Sequence, residues 1–117
     1  VGNRQRGDYF ERQVKAALQL AGWFVIRAAG SHGIADLVAL REGRKPLLVS
    51  CKLNGRIGPA ERADLLEAAR SAGGRAILAT RPRRGRILLS VVLLEGKRIA
   101  PIDELATPRL EEGSSIL

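Results

Sequence analysis

Ile34-Ala35-Asp36-Leu37-Val38-Ala39-Leu40 is followed, after Arg41-Glu42-Gly43-Arg44-Lys45, by Pro46-Leu47-Leu48-Val49-Ser50-Cys51-Lys52. Both runs are apolar and of strand length, and Glu42-Gly43-Arg44-Lys45 between them is turn material. The pair predicts an antiparallel hairpin. Side chains alternate along a strand, so Ser50 and Lys52 share one face and Cys51 points to the other. With the turn centred near Gly43 or Arg44, Asp36 falls opposite residue 50 or 52; a slip of one residue would turn it to the wrong face. A carboxylate inside an apolar strand is costly to bury unless something pairs with it. Lys52 on the neighbouring strand is the expected partner, at the strand ends far from the turn.

Upstream, Phe10, Val14, Ala17, Leu18 and Ala21 recur at helical spacing, which predicts an amphipathic helix from about Asp8 to Ala21, stopped by Gly22. Trp23 to Ala28 follows as a first strand, and Gly30-Ser31-His32-Gly33 breaks it before the hairpin begins. Downstream, Asn54-Gly55-Arg56-Ile57-Gly58 reads as loop. Pro59 suits the first turn of a helix running to about Ala72, with Leu65, Leu66, Ala68, Ala69 and Ala72 as its buried stripe. Gly73-Gly74 ends that helix. Ala76 to Thr80 and Ile87 to Leu94 are two further strands around the basic turn Arg81-Pro82-Arg83-Arg84-Gly85-Arg86. The order is α-β-β-β-α-β-β in a mixed, mostly antiparallel sheet. Beyond Gly96 the pattern weakens; Asp103-Glu104-Leu105 reads as a short turn.

The 117 residues, 45% hydrophobic, fit one domain over 1–117, with residues 1–6 and about 107–117 expected to be flexible. Twenty Lys+Arg against twelve Asp+Glu leave a formal charge of +8, which points to a polyphosphate partner, nucleic acid first. No segment approaches the roughly 18 to 20 apolar residues that span a bilayer. The first residues lack the apolar run of a signal peptide, so a cytoplasmic location is expected, in a prokaryotic cell or a phage-infected host. One cysteine and one histidine make neither a disulfide nor a zinc site, so any metal is held by oxygens. Tyr9, Phe10, Trp23 and Phe24 are the only aromatic residues, too few for a base-stacking platform. Contacts to the backbone of duplex DNA fit better.

Hydrolysis of a phosphodiester needs a deprotonated water and neutralisation of the charge developing on the phosphorane. Carboxylates that recruit Mg2+ and a lysine near the water meet both needs. The carbonyl of Cys51 is a further candidate ligand. Gly7-x3-Glu11-Arg12, then Gly22 and Arg27, Gly30-Ser31, Asp36-Leu37-Val38-Ala39 and Ser50-Cys51-Lys52 together resemble the archaeal-type Holliday junction resolvases, over roughly residues 4 to 93. These belong to the PD-(D/E)xK nuclease superfamily. The resemblance implies an α/β, restriction-endonuclease-like αβββαβ core, a mixed central sheet flanked by helices, and a homodimer cutting four-way junctions symmetrically. It implies that Glu11 and Asp36 bind Mg2+ (Mn2+ substituting), that Lys52 polarises the attacking water, and that Ser31 assists at the scissile phosphate. Arg4, Arg6, Arg12 and Arg27 would contact the DNA backbone, and Arg83 and Arg84 are candidates for the same role in the basic turn.

Where that family has the acid of its ExK pair, this chain has Ser50. A hydroxyl is a neutral, weak ligand for Mg2+, so the site loses a formal charge. A carboxylate borrowed from Glu61, Asp64 or Glu67, a metal held by Ser50 through water, and an inactive site are the three readings. Each residue also has a plain one: Glu11 as the helical partner of Lys15, the Cys51 thiol as core filler, His32 as a solvated loop residue. The expected function is structure-selective cleavage of branched DNA with no small-molecule cofactor. The alternatives are a repair or restriction-like nuclease on ordinary duplex, a non-catalytic DNA-binding module of the same fold, and, on charge alone, a ribosome-associated RNA-binding protein.

Overall fold

The computed structural model describes residues 2–28, 34–82 and 85–100, with side chains from Gly7 onward. It runs α1 (Gly2–Leu20), β1 (Phe24–Arg27), β2 (Leu37–Leu40), β3 (Leu47–Cys51), α2 (Pro59–Ala72), β4 (Arg75–Thr80), β5 (Leu88–Val92) and β6 (Lys97–Ile99). The six strands form one sheet in sequence order. Only the β3–β4 pair is parallel; the remaining neighbours are antiparallel. The mixed α/β layout is thus as the sequence predicts, with two differences. α1 begins at Gly2 rather than near Asp8, and the charged segment Lys97-Arg98-Ile99 adds a sixth strand along β5.

Two apolar layers sandwich the sheet. Phe10, Val14 and Leu18 of α1 pack on Val25, Leu37, Ala39, Leu47, Val49, Ile77, Ala79, Leu89 and Val91. Leu65 and Ala69 of α2 pack on the other face against Leu48, Ala76, Leu78 and Val92, with Ala35 beside them. Because both faces of β3 and β4 are covered, those strands are almost wholly buried and mostly apolar, as parallel strands generally are. α2 opens as Pro59 predicts, and Glu61 Oε1 accepts the Gly58 N–H at 3.4 Å. It ends on Gly73, whose φ of +65° closes the helix with a left-handed residue. Gly74 then passes so close to Pro46 that a Cβ there would stand 2.4 Å from the Pro46 oxygen. This contact delivers β4 alongside β3 and brings the C-terminal ends of both to the same edge.

Candidate active site

The hairpin register pairs Leu37 with Val49, and Asp36 N–H continues the ladder to the Val49 carbonyl at 2.8 Å. By extension Asp36 stands opposite Ser50, the first of the two predicted alternatives. Strict alternation fails at this point. Leu37 and Ala39 face α1, yet Ala35 packs with the α2 layer, and Asp36 occupies a bend just ahead of β2. The bend brings the carboxylate to the backbone: Asp36 Oδ2 accepts the Cys51 N–H at 2.6 Å. The expected Asp36–Lys52 pairing is therefore replaced. Lys52 Nζ instead donates to Glu61 Oε2 of α2 at 2.7 Å, because consecutive side chains of β3 leave on opposite faces and α2 covers the one that Lys52 takes.

Glu11 lies on the α1 side with Cys51, whose side chain packs against that core. The Arg27 Nε donates to Glu11 Oε1 at 3.1 Å, and its terminal nitrogen reaches Asp8 Oδ1 at 3.1 Å. Asp8 escaped the sequence reading, although Asp8 and Glu11 are spaced i, i+3 on one helix face. Burial and then the negative charge of Asp36 raise the Glu11 carboxyl above its ordinary value, against the pull of Arg27. The two carboxylates are thus within electrostatic reach, which favours a shared cation. Burial, then Asp36 and Glu11, push the Cys51 thiol up, which suits a packing residue rather than a nucleophile.

Ser50 is 3% exposed. Of the three carboxylates considered as its substitute, Glu61 reaches Lys52, Glu67 pairs with Arg70 within α2, and Asp64 is exposed. The hydrogen bond from Lys52 holds the Glu61 carboxyl below its ordinary value. Among the described residues no three His, Cys, Asp or Glu side chains converge on one point; the oxygen donors are the Glu11–Asp36 pair and neighbouring backbone. That set fits Mg2+, which takes one or two carboxylates and keeps several waters. Arg12 is exposed on α1, whereas Arg27 is engaged by Asp8 and Glu11. Arg4 and Arg6 lie on α1, but their side chains fall outside the described set, as do Ser31, His32, Arg83, Arg84 and the Asp103-Glu104-Leu105 segment.

Comparison with known proteins gives a consistent answer. The model of the archaeal Holliday junction resolvase (Hjc) family matches residues 2–107. A crossover junction endodeoxyribonuclease of Methanocaldococcus jannaschii is 42% identical over 52 residues, 44% of this chain, and the match spans only 38% of that relative's length. The solved structure of a Holliday junction resolvase from Archaeoglobus fulgidus is similar with a TM-score of 0.65 at 26% identity, over 86% of this chain and 88% of that one.

Proposed function

The chain belongs to the archaeal Holliday junction resolvase family, and from that premise we propose that it cuts four-way DNA junctions by metal-assisted hydrolysis of the phosphodiester backbone. The observation that carries this reading is the Asp36 carboxylate bound to the Cys51 N–H, with Glu11 near enough to feel the Asp36 charge and the Lys52–Glu61 pair beginning at the next residue. Glu11, Asp36 and the Cys51 carbonyl are the groups to hold Mg2+, or Mn2+ in its place. When bound, such a cation neutralises phosphate charge and acidifies a coordinated water. Lys52 orients the attacking water and the phosphate, and Glu61 fixes the lysine from the α2 side. This division of labour gives Glu61 the acidic part that Ser50 leaves open, as the partner of Lys52.

Arg4, Arg6, Arg12, Arg83 and Arg84 grip phosphates along the junction arms, and Arg27 serves chiefly to hold α1. Backbone contacts of this kind weaken steeply with salt and carry little sequence preference. Two copies acting as a homodimer give paired cuts, and a DNA substrate is in keeping with the cytoplasm of a prokaryotic cell or a phage-infected host.

The test is incubation of a four-way junction, a linear duplex and a single strand with Mg2+ or Mn2+. Paired symmetric nicks in the junction alone support the resolvase. Cutting of linear duplex at a matching rate points to a repair or restriction-like nuclease. Tight binding with no cleavage, the outcome that a buried Ser50 would produce if Glu61 did not compensate, makes the protein a DNA-binding module.

A further inference from the structure

Two arginines grip the turn of α1 that carries Glu11, and they reach it from opposite flanks of the site. Arg27, from β1, binds Asp8 and Glu11. Arg81, the residue after β4, lays its guanidinium 5.8 Å from the centre of the Phe10 ring and donates to Gln13 Oε1 at 2.7 Å. In the strand order β1-β2-β3-β4, the strands next to Asp36 and Cys51 lie between the two arginines. Glu11 sits between Phe10 and Gln13 in the chain. We propose that Arg81 is a positioning residue for cleavage: it fixes the roll of this helical turn so that Glu11 meets Asp36 and Cys51. The inference rests on the nuclease reading above.

The contacts separate positioning from simple anchoring. Phe10, Val14 and Leu18 are 0 to 2% exposed, and burial of three such side chains dominates the docking of the helix. The Arg81–Phe10 contact adds a smaller gain. Against that gain, the Arg81 Nε–H is buried without an acceptor among the described residues, which offsets part of it. Docking of α1 therefore does not depend on Arg81. Apolar packing sets which face of α1 meets the sheet but is non-directional, so the fine roll of the helix is left to polar contacts at its flanks. The short, directional bond to Gln13 fixes it, and does so on the flank that Arg27 does not reach.

The test compares Arg81→Met and Gln13→Ala with Arg70→Gln, a charge-matched control on the exposed side of α2, where the Arg70 side chain is 73% exposed. Single-turnover junction cleavage at saturating protein, junction affinity without Mg2+, melting temperature, and Mn2+ affinity followed by electron paramagnetic resonance are the readouts. Both variants are expected to slow cleavage and weaken Mn2+ binding by about 10- to 100-fold, the usual effect of removing the support of a metal ligand. Junction affinity should stay with the control, and Arg81→Lys should restore part of the rate. Unchanged cleavage and Mn2+ affinity, or a loss confined to junction affinity, overturns the proposal. If Arg81→Met does not fold, Gln13→Ala decides alone, since it leaves every charge in place. Should the parent protein bind junctions without cutting them, the nuclease reading fails, and Mn2+ affinity by itself judges Arg81.

Discussion

Replacing Glu61 with Gln removes one charge from the Lys52 pair and leaves the side chain's shape. The Nζ–Oε2 distance is 2.7 Å. At an effective dielectric constant near 20, unit charges about 4 Å apart attract by about 4 kcal/mol. That figure is far too large here, because the side chains keep 28% and 42% of their exposure, and open pairs are worth about 0.2 to 1 kcal/mol. The upper end applies, given the short contact. The expected loss of about 1 kcal/mol lowers the melting temperature by roughly 3 to 6 °C in a domain of this size. The sign with pH follows from the depressed Glu61 carboxyl: its stabilisation is complete above the ordinary value of 4.5 and disappears as pH falls through the lower native value. Parent and variant should therefore converge in acid. Cleavage should suffer more than stability, by about 10- to 100-fold, as expected when a group that orients a reacting side chain is lost. Single-turnover cleavage of a labelled four-way junction beside thermal melting from acid to neutral pH checks both. A parental cleavage rate combined with the predicted fall in melting temperature refutes the reasoning and reduces the pair to a surface tether.

Asp36→Asn should abolish cutting and leave junction binding nearly intact, because the amide oxygen can still accept the Cys51 N–H; gel-shift and cleavage assays on the same preparation decide it, and surviving cleavage would place the metal elsewhere. Glu11→Gln should likewise stop cleavage yet raise the melting temperature at neutral pH. The raised native carboxyl makes ionised Glu11 a net liability above 4.5, so the gain should fade below that pH. Mg2+ should then raise the melting temperature of the parent protein and not of this variant. Ser50→Glu inserts a longer, charged group where Ser50 is 3% exposed; urea denaturation should show a loss of about 1 to 3 kcal/mol from overpacking alone, with no rise in cleavage, since Glu61 already serves Lys52.

The hairpin was legible because its signal is local: two apolar runs about a short turn dictate their own register, and Leu37 does pair with Val49. α2 was equally legible in its bounds, from Pro59 at its start to the two glycines at its end, although Ala72, expected in its buried stripe, is exposed. α1 was only half visible, since residues 2–9 carry no apolar stripe and a helical period has nothing to mark there. β6 left no trace because three residues, two of them charged, become a strand only when the free edge of β5 is present. The site divides in the same way. Glu11, Asp36 and Lys52 were singled out from residue type and order, but the swap of partners at Asp36 and Lys52 depends on a bend that alternation does not foresee. The Arg27–Asp8 and Arg81–Gln13 contacts join polar residues 19 and 68 positions apart, and no periodicity or short motif links such pairs.

The peptide between Cys51 and Lys52 is where the two layers of the molecule exchange information. Cys51 belongs to the α1 layer and Lys52 reaches into the α2 layer, so the centre proposed above would be competent only while both layers are locally closed. A transient opening of either helix, well short of global unfolding, disassembles the chemistry. On that proposal catalytic output would report the joint probability of two local equilibria, and inactivation on warming should run ahead of the loss of helical signal.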